Sequence, residues 1–499
     1  MNPADSSIPT DTMMKLNRPS LFRQQCHVDG AWVDSSDGKT IDVVNPADGS
    51  VLGSVPAMTQ HDVREAIAAA DRALPAWRAQ SAKQRSQCIR RWFDLCMQHQ
   101  EDLATLLTLE QGKPLKESRG EIAYGSSFLE WFAEEAKRVY GDVIPAATAD
   151  RRIVVIKQPV GVVAAITPWN FPNAMITRKA GAALAAGCTI VIKPATATPY
   201  SALALAELAA EAGIPAGVLN VVTGKSDVVG GELTGNPIVR KLSFTGSTSV
   251  GKQLMEQCAG TMKKVSMELG GNAPFIVFDD ADLDLAVAGA MASKFRNAGQ
   301  TCVCANRIFV QDGVYDEFSR RLKQAVQALR VGDGLEETVD IGPLIDRAAV
   351  DKVREHIDDA VSGGARILTG GREHALGGLF FEPSILVDVP RHAKLMQEET
   401  FGPVAPLIRF SNEDEAVALA NDTPFGLAAY FYTSNYARAW RVAESLETGI
   451  VGLNEGIIST ELAPFGGIKE SGVGREGSKY GVDDYVEIKY ICAGGLGPR

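Results

Sequence analysis

Short apolar segments alternate with helical segments between residues 160 and 260, and this alternation constrains the fold more than any other feature of the sequence. The apolar runs lie at 160–166, 189–192, 218–222 and 241–244. Such a pattern predicts parallel βαβ units, whose ligands bind beyond the carboxyl ends of the strands. A second alternating region runs from 273 to about 446. The sequence therefore predicts an α/β fold with two domains of this kind.

Two further strand-like segments, at about 140–158 and 485–495, lie outside both alternating regions. Residues 59–138 instead show the three-and-four spacing of apolar residues that is typical of helices. An unpaired strand edge usually finds a partner, and in a chain of 499 residues that partner is often another subunit. These segments therefore predict an oligomer.

Charge and cysteine content exclude several classes of protein. The 50 Lys and Arg residues stand against 61 Asp and Glu residues, and a net charge of −11 argues against non-specific binding to nucleic acid or to an anionic membrane. The longest uncharged run, 158–177, contains three prolines, which argues against a membrane helix. The eight cysteines are scattered without a CxxC pair, which excludes a zinc ribbon and fits a reducing compartment. Residues 1–20 resemble neither a signal peptide nor a transit peptide, so we predict a cytoplasmic protein.

Two glycine-rich motifs suggest nucleotide binding, but each departs from the motif that it resembles. Residues 472–477 (GVGREG) match a dinucleotide fingerprint but follow no apolar strand, so we interpret them as a loop. Residues 246–252 (GSTSVGK) resemble a Walker A loop, but Gln253 stands where a magnesium-binding Ser or Thr is required. What remains is a helix start with Ser247 as a capping candidate, which suits a pyrophosphate.

Three residues form a candidate reaction centre. Cys302 lies in a small polar turn, and Glu268 ends an apolar, strand-like segment before two glycines. Because no histidine lies in a glycine-rich motif, a cysteine nucleophile would need a carboxylate base. Asn170, between two prolines and two aromatic residues, offers amide N–H donors on a rigid turn, as an oxyanion hole requires.

The motifs together resemble those of the aldehyde dehydrogenase superfamily. They occur in the family's order, as TPWNFP (167–172), FTGST (244–248), MELGG (267–271), GQTC (299–302), ETFGP (399–403) and PFGGIK (464–469). The resemblance covers nearly the whole chain from about residue 25. Residues 296–306 (RNAGQTCVCAN) and 474–481 (GREGSKYG) are most similar to the succinate-semialdehyde dehydrogenases within the family.

The resemblance implies an organisation and a reaction. It implies a Rossmann-type cofactor domain at 21–139 and 159–270, a catalytic domain at 271–484, small oligomerisation strands at 140–158 and 485–499, and a flexible tail at 1–20. It also implies a homotetramer, no metal, and oxidation of an aldehyde through a thioester on Cys302, with Glu268 activating water and Asn170 holding the oxyanion. The residues implied to bind the cofactor are Thr167, Trp169, Lys193, Thr196, Gly246, Ser247, Glu399 and Phe401.

The implied substrate is succinate semialdehyde, whose carboxylate would be bound by Arg178, Arg296 and Ser459. Either arginine could instead form a structural ion pair. Glutarate semialdehyde, one methylene longer, is the alternative substrate, and a catalytically inactive binding protein on the same scaffold is the alternative of another class. Cys304, two residues from the nucleophile, is a candidate partner in a reversible disulfide.

Thr196 bears on the choice of cofactor. Many NAD-preferring family members carry a glutamate at this position, which would repel a 2′-phosphate. Thr196 removes that charge and leaves Lys193 nearby as a cation. We therefore predict a preference for NADP, with NAD also accepted.

Overall fold

The computed structural model describes residues 15–496, so most of the tail predicted at 1–20 lies outside the described residues. Its strands, in chain order, are β1 (Cys26–Val28), β2 (Ala31–Val33), β3 (Thr40–Val44), β4 (Val51–Pro56), β5 (Asp142–Ile144), β6 (Arg152–Pro159), β7 (Val162–Ile166), β8 (Thr189–Lys193), β9 (Leu219–Val221), β10 (Val239–Thr245), β11 (Lys264–Glu268), β12 (Ala273–Val277), β13 (Ala305–Gln311), β14 (Arg366–Thr369), β15 (Ser384–Val387), β16 (Val404–Phe410), β17 (Ala428–Tyr432), β18 (Ile450–Leu453), β19 (Gly472–Val473) and β20 (Val486–Ala493).

The helices follow the predicted alternation. In chain order they are α1 (Gln60–Ala79), α2 (Ala82–Gln98), α3 (Gln100–Gln111), α4 (Leu115–Glu135), α5 (Ala174–Ala186), α6 (Tyr200–Glu211), α7 (Ser226–Gly235), α8 (Thr248–Ala259), α9 (Leu283–Lys294), α10 (Tyr315–Gln327), α11 (Arg347–Ser362), α12 (Lys394–Gln397), α13 (Glu413–Asn421) and α14 (Tyr436–Ser445). Capping boxes at Thr59 and Ser81 fix the starts of the first two helices.

The first sheet has eight strands in the order β19-β11-β10-β7-β8-β9-β1-β2. Its five central strands, β7 to β11, pair in parallel, while β1, β2 and β19 are antiparallel edges. The register sets Ile166 opposite Lys193 and Thr245 opposite Glu268. The carboxyl ends of the strands therefore meet at one edge, where an open α/β sheet binds its ligands.

Helices cover both faces of this sheet, as the continuous apolar strands predict. Along β7, Val163 and Ala165 pack into a core formed with α2 to α6, whereas Val162 and Ala164 pack into a core formed with α1, α7 and α8. Side chains of a strand alternate between faces, so one apolar strand supplies both cores.

The second sheet has seven strands in the order β14-β15-β16-β13-β12-β17-β18, all parallel except β14. It forms a third core with the helices between residues 283 and 445. The predicted α/β fold with two alternating regions is confirmed. The chain returns to the first sheet at Gly472–Val473, which pairs with β11 although it lies inside the range 271–484 predicted as catalytic.

The two leftover segments form a separate antiparallel sheet of three strands in the order β20-β6-β5. Large apolar side chains are exposed on both of its faces, among them Val143 (80% exposed) on one face and Ile488 (72% exposed) on the other. Their role in oligomerisation stays a prediction. Within residues 15–496, every helix is too short or too polar to cross a bilayer.

Candidate active site

The carboxyl edge of the first sheet faces the amino ends of β12, β13 and β16 across a cleft of about 250 Å³. The first sheet contributes residues that follow β7, β10 and β11, and the second contributes the loops before β13 and β16, together with one side chain of α11. The lining residues are Pro168, Trp169, Asn170, Thr245, Gly246, Ser247, Leu269, Gly270, Cys302, Lys352, Glu399 and Phe401. Together with Cys302, six of the predicted cofactor and catalytic residues thus meet at one place: Trp169, Asn170, Gly246, Ser247, Glu399 and Phe401. 

The turn after β7 carries Asn170, which is 3% exposed. Its side-chain Nδ2 donates a hydrogen bond to the carbonyl oxygen of Gln300 at 3.0 Å. One N–H of the amide is therefore fixed on the loop that leads to Cys302. The second N–H remains available as a donor, as an oxyanion hole requires.

The loop before Cys302 has an uncommon backbone. Asn297 and Ala298 have φ values of 51° and 54°, in the left-handed region that costs a non-glycine residue about 1 kcal/mol or more. Gly299, at φ 75°, is required there because a Cβ would lie 2.1 Å from the carbonyl oxygen of Gly402. This conformation brings Cys302 to the cleft.

Cys302 lies half-buried in a poorly solvated position. Burial raises the pKa of its thiol to about 12, with Glu399 acting in the same direction and Arg178 in the opposite one. At neutral pH the side chain is therefore a thiol. A nucleophilic thiolate would require a base that accepts its proton.

Glu268 is the last residue of β11 and is 3% exposed. Neither of its carboxylate oxygens has a hydrogen-bond partner among residues 15–496. Burial, and then the charge of Glu476, raise the pKa of Glu268 well above its usual range, while Arg178 and Lys179 oppose that shift. A buried, unpaired carboxylate of raised pKa is suited to act as a general base.

Glu476 belongs to a charged group behind Glu268. Its Oε2 lies 3.0 Å from Nε of Arg178, and its Oε1 accepts a hydrogen bond from Lys179. Burial favours the neutral acid, but Lys179 and Arg178 hold the pKa of Glu476 below its usual value. The structural ion pair considered for Arg178 is therefore present.

The second arginine is placed differently. The guanidinium carbon of Arg296 lies 4.8 Å from the centre of the Phe171 ring, and among the ion pairs of residues 15–496 none includes Arg296. Burial raises the pKa of Tyr124, while Arg178, Arg296 and the hydroxyl of Ser459 act to lower it. The three residues predicted to bind a substrate carboxylate thus all act on the pKa of one tyrosine, whose hydroxyl is buried.

One end of the cleft contains a helix start and two acceptor groups. The hydroxyl of Ser247 accepts a hydrogen bond from Val250 N at 3.5 Å and caps α8, whose N–H groups can face an anion. Glu399 accepts a hydrogen bond from Gly271 N at 3.0 Å, and burial raises the pKa of its carboxyl to about 7. The rings of Trp169 and Phe401 meet edge to face, with their centres 5.5 Å apart.

Three predicted cofactor residues lie at the ends of β7 and β8, beyond the lining of this cleft. Thr167 N donates a hydrogen bond to Lys193 O at 3.1 Å. The side chain of Lys193 donates to Pro194 O at 3.3 Å, and burial lowers the pKa of its ammonium to about 8. Thr196 is half-buried in the following turn.

Cys304 lies behind the nucleophile and is fully buried. Its N–H donates to Thr301 O at 3.0 Å, and its Sγ lies 3.7 Å from Lys294 O. Burial raises the pKa of this thiol as well. Access of an oxidant to Cys304 would therefore require the loop to move.

The glycine-rich motif at 472–477 has the structure of a loop. Gly472–Val473 forms a short edge strand, and Gly474 and Gly477 adopt φ values of 95° and 72°. No helix of the described chain begins within it. The motif nevertheless contributes Glu476 to the charged group behind Glu268, which the sequence analysis did not predict.

Sequence reasoning missed three other features near the site. Lys352 of α11 lines the cleft and donates to Glu399 O at 2.6 Å. Tyr124, and the pair formed by Lys113 and Glu121, lie in or beside α4. Residues 110–121 (EQGKPLKESRGE) contain six charged side chains, so the local sequence does not single out Lys113 and Glu121 as a buried pair.

Comparison with known proteins agrees with this geometry. The aldehyde dehydrogenase family model matches residues 32–491. The chain is 68% identical over 481 residues to an NADP(+) succinate-semialdehyde dehydrogenase, GabD, of Escherichia coli (strain K12), covering 96% of this chain and 100% of that protein. It is 67% identical over 483 residues to a glutarate-semialdehyde dehydrogenase of Pseudomonas aeruginosa, covering 97% and 100%. A crystal structure of an NADP-dependent enzyme from Escherichia coli superposes with a TM-score of 0.96 at 67% identity, covering 96% of this chain and 100% of that chain.

Proposed function

The chain belongs to the aldehyde dehydrogenase family, and from this premise we propose that it oxidises succinate semialdehyde to succinate with NADP. The observation that carries the proposal is the position of Arg296. It is a cation without an ion-pair partner in the described chain, and its guanidinium packs on the ring of Phe171. Phe171 follows Asn170, which lines the cleft together with Cys302, so the cation lies close to the nucleophile. A substrate carboxylate would supply the missing counter-ion.

The chain's own residues can perform the covalent chemistry. Glu268 accepts the thiol proton of Cys302, and Sγ forms a bond to the aldehyde carbon while the carbonyl π electrons move to oxygen. The free N–H of Asn170 and the backbone N–H of Cys302 donate to that oxyanion. NADP, when bound, would accept the hydride that leaves the former aldehyde carbon as the oxyanion collapses to a thioester on Cys302. Glu268 releases the thiol proton to solvent and then accepts a proton from water, so that the hydroxide adds to the thioester carbon. The C–S bond breaks to release succinic acid and the thiolate; the acid loses its proton to solvent, and the proton on Glu268 returns to the thiolate.

The residues present fit a dinucleotide. Gly246 and Ser247 would face the pyrophosphate at the start of α8, and Lys193 with Thr196 would hold the adenosine ribose and its 2′-phosphate. Glu399 and Phe401, with Thr167 and Trp169, would hold the nicotinamide end. The buried, weakly bonded ammonium of Lys193 supports this assignment, since its only hydrogen bond in the described chain is to Pro194 O.

Glutarate semialdehyde is the second candidate substrate, because the relative from Pseudomonas aeruginosa carries that name at 67% identity. One methylene changes the binding free energy by only about 1–3 kcal/mol. We therefore propose that both semialdehydes react and that the shorter one reacts faster.

We also propose a cytoplasmic homotetramer. The exposed apolar side chains on the three-stranded sheet, including Val143, Ile488 and Tyr490, support a subunit contact there. The acidic net charge of −11 supports small-molecule substrates and neither a nucleic acid nor a membrane as partner.

The test is a comparison of kcat/KM for succinate semialdehyde, glutarate semialdehyde and butanal with NADP and with NAD. We expect succinate semialdehyde with NADP to give the highest value, exceeding butanal by at least about tenfold. Cys302→Ser serves as the inactive control. An equal kcat/KM for butanal would contradict the assignment of the carboxylate site, and the absence of a burst of reduced cofactor with every aldehyde would support the inactive scaffold instead.

A further inference from the structure

A buried ion pair that the reaction does not use lies beside the turn that carries Asn170. Nζ of Lys113 is 2.6 Å from Oε2 of Glu121, and both side chains have no solvent exposure. The desolvation of two charges costs free energy that their attraction often fails to recover, so a buried pair is weak evidence for a role in stability alone. Its other contacts indicate a different role.

Lys113 is bound to the first residue of the turn. Its Nζ donates a second hydrogen bond to the carbonyl oxygen of Asn170 at 2.6 Å. The ammonium also faces an aromatic ring, since its Nζ lies 3.8 Å from the centre of the Phe171 ring. A protonated lysine thus finds three partners, and two of them are in the turn.

Glu121 is bound to the other end of the same turn. Its Oε1 accepts hydrogen bonds from the backbone N–H groups of Asn173 at 2.9 Å and Ala174 at 3.2 Å. These groups open α5, where a carboxylate is favoured by the helix dipole. The ion pair therefore holds residues 170 and 173 at the same time.

The turn is also bound to the loop of the nucleophile. The carbonyl oxygen of Asn170 accepts a further hydrogen bond from Nδ2 of Asn297 at 3.0 Å, and the side chain of Asn170 donates to Gln300 O. The backbone carbonyl of Asn170 thus accepts two hydrogen bonds, and one N–H of its side-chain amide donates a third. These contacts fix the direction of the remaining side-chain N–H. An oxyanion donor is effective only within about 3 Å of the oxygen that it stabilises.

We propose that Lys113 and Glu121 are positioning residues that set the direction of the Asn170 amide for the oxyanion. The inference rests on the proposed function, because it takes Asn170 as the donor. Neither residue lines the cleft. Their effect passes through the backbone of the turn at residues 170–173.

The experiment is a double-mutant cycle on the rate of the burst of reduced cofactor with saturating succinate semialdehyde and NADP. We expect Lys113→Met and Glu121→Gln each to slow the burst by at least about tenfold, with KM changed by less than about threefold. In the Asn170→Ala background, Lys113→Met should slow the burst by less than about a further threefold, because the amide that Lys113 positions is absent. Alkylation of Cys302 by iodoacetamide, which forms no oxyanion, should keep its wild-type rate in Lys113→Met.

Lys137→Met is the matched control, since Lys137 forms a 2.8 Å pair with Glu134 at the exposed end of the same helical region. It should leave the burst unchanged. If Lys113→Met does not fold, Glu121→Gln, which keeps the side-chain shape, completes the same cycle. Equal losses with and without the Asn170 side chain would overturn the inference and leave the proposed function standing. A wild-type burst in Asn170→Ala alone would contradict the proposed oxyanion donor and with it this inference.

Discussion

Arg178 and Glu476 form a buried ion pair in which Nε of the arginine lies 3.0 Å from Oε2 of the glutamate. Nη2 of Arg178 has no hydrogen-bond partner in the described chain, so the same guanidinium retains a donor for a ligand. Arg296 has no such carboxylate partner and packs against Phe171. Removal of Arg178 would therefore take a cation from a buried carboxylate, whereas removal of Arg296 would not.

We expect Arg296→Ala to raise KM for succinate semialdehyde by at least tenfold, about 1.4 kcal/mol, because it removes a charge-assisted contact to the carboxylate. KM for butanal and the free energy of unfolding should change little. Arg178→Ala should also raise KM, and in addition it should lower the free energy of unfolding by about 3 kcal/mol, since it takes a cation from buried Glu476. Steady-state kinetics and urea unfolding measure both effects. Equal rises in KM for the two substrates in Arg296→Ala would refute the assignment.

The pH dependence should report the base. Burial and the neighbouring charge of Glu476 raise the pKa of Glu268, so its basic form becomes populated only above the usual carboxylate range. We therefore expect kcat/KM to rise with pH above the usual carboxylate range, as Glu268 loses its proton. Glu476→Gln removes the like charge and frees two cations, and both effects lower the pKa of Glu268, so the rise should move to lower pH. Glu268→Gln should abolish it, and a shift to higher pH in Glu476→Gln would contradict this account.

Cys304 should protect the enzyme from irreversible oxidation. Peroxide converts the Cys302 thiolate to a sulfenic acid, and the Cys304 thiol can then displace water to form a disulfide. We expect peroxide to inactivate the wild type and dithiothreitol to restore its activity, whereas Cys304→Ala should not recover. Because Cys304 is fully buried, the disulfide should form more slowly than the initial loss of activity. Full recovery of Cys304→Ala would show that Cys304 is not a resolving thiol.

The local sequence was sufficient to predict most strands, because apolar runs bounded by glycine and proline leave few alternatives. It underestimated β10, which was expected at 241–244 and spans Val239–Thr245. Lys241 at its centre is fully buried, and its ammonium donates to the hydroxyl of Ser266. That contact comes from the neighbouring strand, so local polarity could not reveal it. The same holds for β19, a two-residue strand that exists only through its pairing with β11.

The proposed reaction centre could be selected from the sequence because Cys302, Glu268 and Asn170 each lie in a motif rich in glycine or proline. The residues behind them could not. Lys113 and Glu121 lie in a helical region whose spacing indicates a helix but not which face meets the turn after β7. The contacts join residues 57 and 52 positions apart in the chain, so they depend on tertiary packing alone.

The choice of cofactor provides the last prediction. Thr196 follows β8, whose last residue, Lys193, is the cation proposed to face the 2′-phosphate. Thr196→Glu would place a carboxylate near that phosphate, and we expect it to lower kcat/KM with NADP by at least tenfold, about 1.4 kcal/mol, while the value with NAD changes little. Thr196→Gln introduces a side chain of the same size as glutamate but without its charge, so it separates the effect of charge repulsion from that of side-chain size. We expect it to lower kcat/KM with NADP much less than Thr196→Glu does.

The pH dependence of this preference follows from Lys193. Burial lowers the pKa of its ammonium to about 8, so the cation is present below that pH and is lost as the pH rises through it. The ratio of kcat/KM for NADP to that for NAD should therefore fall between about pH 7 and pH 9 in the wild type, and Lys193→Met should show a low ratio that no longer depends on pH. A bound phosphate would raise the pKa of Lys193, so proton uptake on binding NADP near pH 8 should accompany the effect. A wild-type enzyme that prefers NAD at every pH would show that neither Thr196 nor Lys193 selects the cofactor.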